Sequence, residues 1–238
     1  MQTKAFLLRS AFVLAALVPA GTLFASDTIR ADVLVDVTDA GGAVAPATPG
    51  QPVYYLPFPV GYHDKGGAKP GERTPPAPDQ IEHLFAKALA ADGYLLCSKQ
   101  LPPSIVLTFE WGYAAPAIGR ATVLGGRTEI SDSDSDVMRT IVGGKWLANV
   151  QIDDPGAERQ ILQDAAGVPQ YYATVTALDY KAMLQKKRVP LWIARLSTEA
   201  AGVSADDALA TIIAAGGPRF GKRTMKPLLI VTPIVHPE

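Results

Sequence analysis

Cysteine is almost absent from this chain. Among 238 residues Cys97 is the single thiol, so no disulfide can form within the chain. The position of Cys97, far from the N-terminus, also excludes a lipid-modified cysteine at the start of a mature protein. The folded protein must therefore be stabilised by its hydrophobic core, for which about 200 residues are ample.

Sequence patterns of metal sites and of nucleophilic enzymes are missing too. The three histidines, His63, His83 and His236, stand at no metal-binding spacing, and no G-x-S-x-G motif occurs. Residues 216–222 fit G-x-x-x-x-G-K, but Arg223 follows where a phosphate-binding loop needs Ser or Thr, and a helix precedes the motif where a strand is required. We therefore expect no metal and no cofactor, and an enzyme is less favoured than a binding protein.

An excess of one charge is also missing. The chain has 22 basic and 23 acidic residues, and no basic patch stands out along the sequence. Nucleic-acid-binding domains carry clustered positive charge. Nucleic acid is therefore not an expected partner.

Long apolar runs are confined to the N-terminus. Lys4 and Arg9 make the first nine residues positive, residues 10–24 are uncharged and largely apolar, and Ala25 ends a small-residue cleavage site. This order is typical of a secretory signal peptide, here residues 1–25. An uncleaved anchor is less favoured, because about 15 apolar residues span about 22 Å of helix, short of the roughly 30 Å hydrocarbon core. We expect a periplasmic or secreted protein with no transmembrane helix after signal removal.

Hydrophobic periodicity divides the rest of the chain into short strands and amphipathic helices. Two Gly- and Pro-rich stretches interrupt it: residues 38–52 are predicted as a linker and residues 61–78 as a long structureless loop. Pro57 and Pro59 restrict their strand to a sheet edge or a strand end, and Pro233 indicates an edge position for the last strand. The predicted strands are 26–37, 53–58, 104–111, 170–178, 189–197 and 227–235. The predicted helices are 79–92, one within 131–150 that has Asp134 or Ser135 as its cap, 155–166 and 204–215.

The order of these elements predicts the fold class. It is neither a strict β-α alternation nor an all-β run, which favours an α+β fold: a mostly antiparallel sheet with amphipathic helices packed on one face. We expect residues 26–52 to form an N-terminal strand and a linker. Residues 53–235 would form a single α+β domain, with a helical insertion at about 113–168.

The strongest helix pattern lies at residues 79–92. Asp79 and Glu82 have the spacing of a capping box, and Gly93 supplies the left-handed residue that ends many helices. The apolar side chains of this helix and of the last helix each form one stripe. These stripes and the strand 189–197 predict a core that contains Ile81, Leu84, Phe85, Leu89, Trp192, Leu209, Ile212 and Ile213.

Aromatic side chains cluster at strand ends beside the 61–78 loop. Alternate ones must face the core of a sheet, which explains part of the cluster by packing alone. If the outward-facing ones are contiguous, they form a binding patch for a ligand or a partner chain. The candidate binding residues are Tyr54, Tyr55, Phe58, Tyr62, His63, Asp64, Trp111 and Tyr113.

Three segments resemble a group of exported bacterial proteins of unknown function. They are DQIEHLFAKALAADGYLLCSKQLPPSIVLTFEWG (79–112), YYATVTALDY (171–180) and VPLWIARLSTEAAGVSADDALATIIAAGGPRFG (189–221). Together they resemble envelope lipoproteins with an α+β fold akin to the N-terminal domain of TolB and to transport-auxiliary lipoproteins. The resemblance implies a non-catalytic envelope role, and it implies no catalytic residues. This chain departs from the pattern in lacking the lipidation cysteine.

Two functions follow from the sequence. The first is an exported, non-catalytic envelope protein that binds a partner protein or another envelope or cell-surface component. The alternative is a secreted hydrolase with dispersed catalytic residues, for which His63 and Asp64 are the suspects.

Overall fold

The computed structural model describes residues 28–66, 74–116, 122–124, 127–129, 133–143 and 156–237. The predicted signal peptide, residues 1–25, lies outside these ranges. So do parts of the predicted loop 61–78 and of the predicted helix 131–150.

A seven-stranded sheet forms the centre of the molecule, and its order is β3-β2-β4-β7-β8-β1-β9. β2 runs parallel to both β3 and β4, whereas the remaining neighbours are antiparallel. The α+β class is thus confirmed, but the sheet is mixed and not the mostly antiparallel one expected. The strands are β1 Thr28–Val37, β2 Val53–Lys65, β3 Tyr94–Leu96, β4 Ile105–Ala114, β7 Gln170–Asp179, β8 Pro190–Glu199 and β9 Leu228–Pro233, and a separate ribbon pairs β5 Thr122–Leu124 with β6 Arg127–Glu129.

Helices cover both faces of this sheet, which corrects the expectation of helices on one face. The helices are α1 Asp39–Gly42, α2 Pro78–Ala91, α3 Ser133–Val142, α4 Ala157–Ala166, α5 Tyr180–Leu184 and α6 Ala205–Gly216. α2 and α6 pack on what we call the first face. α3 and α4 belong to the segment between β4 and β7 and pack on the opposite, second face.

The first face holds the larger core. Its β-strand side chains, among them Trp111, Val175 and Leu196, pack against the apolar stripes of α2 and α6. All the predicted core side chains are buried here except Leu84, which is half-buried at the margin. A smaller core on the second face lies beneath α3 and α4. It contains Ala114, Met138, Ile141, Val142, Leu162, Ala165 and Tyr172.

The ends of the two main helices only partly follow the sequence signals. α2 begins after Ala77 with Pro78 in its first turn, so Asp79 is not the N-cap and no side chain caps this end. Gly93, with φ of +87°, follows the end of α2 as predicted. In α6, the N-cap is Ser204, whose Oγ accepts a 3.1 Å hydrogen bond from the amide of Asp207.

β1 lies inside the sheet, between β8 and β9. Val35 faces Ala194 of β8, and Ala31 faces Ile230 of β9. The N-terminal strand that the sequence analysis set apart from residues 53–235 therefore shares their sheet and their core.

β2 is twice as long as the sequence predicted. Gly61–Lys65, assigned to the structureless loop, continue the strand along β4 after a bulge between Pro59 and Gly61. The expectation that the prolines mark an edge is confirmed, because β3 covers only residues 53–55 of β2 and no other described strand pairs with its outer side. Pro233 likewise lies in β9, the other edge strand.

Candidate functional site

The predicted aromatic cluster divides between the core and the surface. Tyr55, Trp111 and Tyr113 are buried, and Tyr55 and Trp111 pack with Phe109 and Phe85 of the first-face core. Burial, with a smaller contribution from nearby Cys97, raises the pKa of the Tyr55 hydroxyl to about 12. These side chains are structural and offer no surface to a ligand.

The remaining aromatic candidates lie along β2. Tyr54 is half-buried, and Tyr62 is half-buried and packs at the margin of the first-face core. Phe58 is 61% exposed on the second face, where it lies opposite Thr108 of β4. Of the predicted aromatics, Phe58 alone presents most of its ring to solvent.

His63 and Asp64 are both exposed but lie on opposite faces of β2. His63 pairs with Gly112 on the second face, and Asp64 pairs with Tyr113 on the first. The carboxylate of Asp64 accepts a 2.8 Å hydrogen bond from the amide of Gly66. Since successive side chains of a strand point apart, these two residues cannot act as a catalytic pair.

A groove of about 410 Å³ runs along the second face between the sheet and α3. The sheet contributes hydroxyls and charges to its floor, whereas α3 contributes a largely apolar wall. The lining residues are Lys65, Glu110, Val137, Thr140, Ile141, Tyr172, Thr174, Thr176, Ile193 and Arg195.

A three-residue cluster occupies one end of the groove. Lys65 Nζ forms an ion pair with Glu110 and lies 4.7 Å from the centre of the Tyr172 ring. The Tyr172 hydroxyl donates a 2.9 Å hydrogen bond to Glu110 Oε1. Although burial raises the pKa of Glu110, the bonds from Lys65 and Tyr172 outweigh it, and the net pKa is lowered. Burial and the Glu110 carboxylate both raise the pKa of Tyr172 far above its usual range.

The other end of the groove also has its charges paired. Arg195 Nη1 forms an ion pair with Asp36 of β1. Between the two ion pairs lie Thr174 and Thr176, on the same face of β7. The groove therefore offers hydroxyl groups and internally neutralised charges, a lining suited to hydrogen bonding with an uncharged ligand or chain segment.

Beyond the groove, the second face carries a buried carboxylate. Asp32 accepts 2.9 Å and 3.2 Å hydrogen bonds from the guanidinium of Arg30, and its side chain is fully buried. Burial raises the pKa of Asp32 to about 6, with Arg30 acting in the opposite direction. The facing residue on β8, Ser197, has a buried hydroxyl with no hydrogen-bond partner among the described residues.

An apolar strip borders the groove. It consists of Leu56, Phe58 and Val60, all exposed on β2. Phe58 lies opposite Thr108, which in turn lies opposite Thr176 in the groove, so one residue separates the strip from the groove. Tyr55 accepts a backbone hydrogen bond from Cys97 on the outer side of β2, so Pro57 and Pro59 direct their nitrogens to that same side. Those positions have no N–H, which disfavours the addition of a further strand there.

A histidine–carboxylate pair that the sequence did not indicate lies near the C-terminal end. His236 Nδ1 is 2.8 Å from Asp207 Oδ1 on α6, and this hydrogen bond lowers the pKa of Asp207. The Oγ of Ser204, the N-cap of α6, already accepts a hydrogen bond from the amide of Asp207. The pair ties the residues after β9 to α6.

None of the residues that line the groove was among the candidates chosen from sequence. Glu110, Thr174 and Arg195 stand in three strands that are remote in sequence, and a shared face of the sheet brings them together. Only the alternation within each strand could have indicated that these residues point away from the apolar side chains beside them.

Two further observations concern the described part of the chain. Within it, no group of three or more His, Cys, Asp or Glu side chains is placed to hold a metal ion. None of the helices described is long and apolar enough to cross a membrane.

Comparison with known proteins gave structural likenesses alone. No protein-family profile and no curated protein sequence matches the chain. The PelC dodecamer from Paraburkholderia phytofirmans, in two space groups, is similar with TM-scores of 0.35 and 0.36 at 12% and 11% identity; the matches cover 82% and 80% of this chain and 98% of the PelC chain. A PDZ domain protein from Parabacteroides distasonis is similar with a TM-score of 0.46 at 8% identity, covering 85% of this chain and 38% of that one. Likenesses at this level carry no argument about function.

Proposed function

We propose that the chain is an exported, non-catalytic envelope protein that binds a partner protein through the groove and the apolar strip. The observation that carries this proposal is that the groove and the apolar strip lie side by side on the second face. A groove lined by hydroxyls and neutralised charges lies one residue from the exposed ring of Phe58. Exposed aromatic rings next to hydrogen-bonding groups are typical of protein-binding surfaces.

Export is part of the same proposal. The positive, apolar and small-residue order of residues 1–25 supports it, as does the resemblance of residues 79–112 and 189–221 to exported envelope proteins. Mass spectrometry of the protein from an exporting host should find an N-terminus at Ser26 or Asp27. An intact Met1 in the periplasmic fraction would contradict export.

The alternative of a secreted hydrolase draws no support from the geometry. His63 and Asp64 lie on opposite faces of β2. His236 does pair with Asp207, but Ser204 beside them serves as the N-cap of α6. We therefore favour binding over catalysis.

Photocrosslinking tests the binding surface. A photoreactive amino acid in place of Phe58 should trap a specific envelope protein, and the same amino acid in place of Val231 should not. Val231 is a matched control because it is 72% exposed and lies on β9, at the opposite edge of the sheet.

A variant that blocks the groove provides a second test of the binding surface. Thr176→Tyr fills the middle of the groove without removing a charge, and it should reduce the yield of the Phe58 crosslink while the thermal stability is retained. Equal crosslinking from positions 58 and 231, or an unaffected yield in the blocked variant, would refute the proposed surface.

A further inference from the structure

Two connections between secondary-structure elements concentrate positive charge. Residues 180–189, which link β7 to β8, contain Lys181, Lys186, Lys187 and Arg188, and all four side chains are exposed. Residues 217–227 contain four more basic residues: Arg219, Lys222, Arg223 and Lys226. No Asp or Glu occurs in residues 180–198 or 208–237, although acidic residues outnumber basic ones in the chain as a whole.

Hydrogen bonds to backbone carbonyls place both connections at one end of the sheet. Arg223 Nη2 donates to the carbonyl of Val37, the last residue of β1. The next residue, Thr38, donates from its amide to Leu191 and from its hydroxyl to Pro190, at the start of β8. The loop that contains Arg223 is thus joined through Val37 and Thr38 to the start of β8, directly after the β7–β8 connection. We call residues 180–189 and 217–227 together the basic end.

Acidic groups near the basic end are mostly engaged. Asp179 accepts the amide of Ala182 as the N-cap of α5, and Asp92 pairs with Lys222. Asp39, in the first turn of α1, is exposed. The exposed cations of residues 180–189 have no ion pair among the described residues that would neutralise them.

Large apolar side chains stand exposed among these cations. Leu184 is 68% exposed in the β7–β8 connection, beside Met183, and Met225 is 86% exposed in the second connection. Met225 is the most exposed of the large apolar side chains in the described part of the chain. Each connection therefore presents apolar side chains flanked by Lys and Arg.

We propose that the basic end docks the protein on an anionic phospholipid surface. Lys and Arg side chains are attracted to anionic headgroups, while exposed apolar side chains enter the boundary between headgroups and acyl chains. Leu184 and Met225 supply that apolar insertion, and the cations around them supply the attraction. This site is separate from the groove and does not rest on the function proposed above.

The apolar component favours lipid over other anionic partners. A nucleic acid would be bound through phosphate contacts and through base stacking on aromatic side chains. Both connections expose aliphatic Leu and Met side chains. Their aromatic rings are less accessible, because Tyr180 is half-buried and Phe220 is buried against Trp192. A nucleic acid would therefore leave Leu184 and Met225 without a role.

Vesicle sedimentation tests the proposal with the mature chain that begins after residue 25, which contains the whole described fold. It should bind vesicles of equal parts phosphatidylglycerol and phosphatidylcholine and should not bind phosphatidylcholine alone. Raising the salt from about 0.1 M to about 1 M, which shortens the screening length from roughly 10 Å to 3 Å, should release it. The triple variant K181Q/K187Q/R188Q should lower the partition coefficient by roughly tenfold or more.

Matched single variants separate the two contributions. Lys187→Gln should weaken binding several-fold, because it removes one exposed cation of the basic end. Leu184→Ser should also weaken binding, whereas Val231→Ser, at a similarly exposed site on β9, should not. Circular dichroism checks that each variant is folded.

Three outcomes would overturn the proposal. One is equal binding to vesicles with and without phosphatidylglycerol. Another is a vesicle affinity that Leu184→Ser and Met225→Ser leave unchanged, since apolar insertion would then be absent. The third is binding to single-stranded DNA or polyglutamate as tight as binding to anionic vesicles, which would indicate a general polyanion site or a protein partner.

Discussion

At the scale of single residues, Asp32 is the carboxylate whose ionisation the fold opposes. Its side chain is fully buried on β1, and Arg30 is the partner that partly compensates. Burial raises the pKa of Asp32 to about 6, above the ordinary value of 3.8. Between these two pH values the folded chain holds a proton that the unfolded chain has released, so stability falls as the pH rises through this window.

The variant Asp32→Asn removes this titration. We expect D32N to become more stable relative to the wild type as the pH rises from 4 to 7. The difference between their free energies of unfolding should change by on the order of 2 kcal/mol over this range. Urea unfolding of both proteins across this range measures the difference. Leu34→Ala, on the same strand but without a titrating group, should show a constant difference from the wild type. If the difference between D32N and the wild type is also constant across this range, the pKa of Asp32 is not raised in the folded chain.

Gly112 marks a close approach between β2 and β4. A Cβ atom at this position would lie 1.8 Å from the backbone oxygen of His63, and a backbone atom cannot swing away as a side chain can. We expect Gly112→Ala to destabilise the protein by more than about 1–3 kcal/mol, the usual cost of overpacking. Thermal unfolding measures this against Gly50→Ala, where a Cβ atom meets nothing within 4 Å. Similar melting temperatures for the two variants would contradict the close pairing of these strands.

At the scale of elements, predictability depended on whether the signal was local. The stripe of α2 repeats every three to four residues, so Ile81, Phe85 and Leu89 could be assigned to the core from sequence. The second half of β2, Gly61–Lys65, is polar and could not, because it is held as a strand by pairing with β4. The face on which α3 packs could not be predicted either, since it depends on contacts with β8 and β1, which are distant from α3 in the sequence.

The packing of α2 on the sheet can be tested at Phe85. It is fully buried on α2, and its ring centre lies 4.9 Å from that of Phe109 and 6.4 Å from that of Trp111. Phe85→Ala should therefore cost roughly 3–5 kcal/mol of stability. Lys87→Ala, two residues along the same helix but exposed, should change stability by less than about 0.5 kcal/mol. Chemical denaturation that found equal stability in the two variants would show that α2 does not pack through this face.

The groove illustrates what sequence reasoning lacks at this scale. Its floor unites Glu110 of β4, Thr174 of β7 and Arg195 of β8, and each is an unremarkable polar residue in its own strand. Their juxtaposition depends on strand order and register, and a shift of one residue would turn each of them to the other face. Of the candidates chosen from sequence, Phe58 reached the same surface because it stands on the same side of β2.

At the scale of the whole molecule, β1 joins segments that are distant in the chain. It pairs with β8 on one side and with β9 on the other, and Val33 and Val35 are buried in the first-face core. The amide of Val35 also donates a 3.0 Å hydrogen bond to the hydroxyl of Thr224, in the connection that precedes β9. Removing β1 would separate β9 from the rest of the sheet and open the core beside it.

A chain truncated to begin at residue 53 should therefore fail to fold cooperatively. It would lose all of β1 and leave the facing edge of β8 unpaired, whereas a chain that begins at residue 26 retains every described strand. Urea unfolding followed by circular dichroism should give a single steep transition for the longer chain. The shorter chain should give a broad transition with a much smaller dependence on denaturant, because the slope reflects the surface buried on folding. If the shorter chain unfolded as steeply as the longer one, residues 53–235 would be an independent domain and β1 an accessory strand.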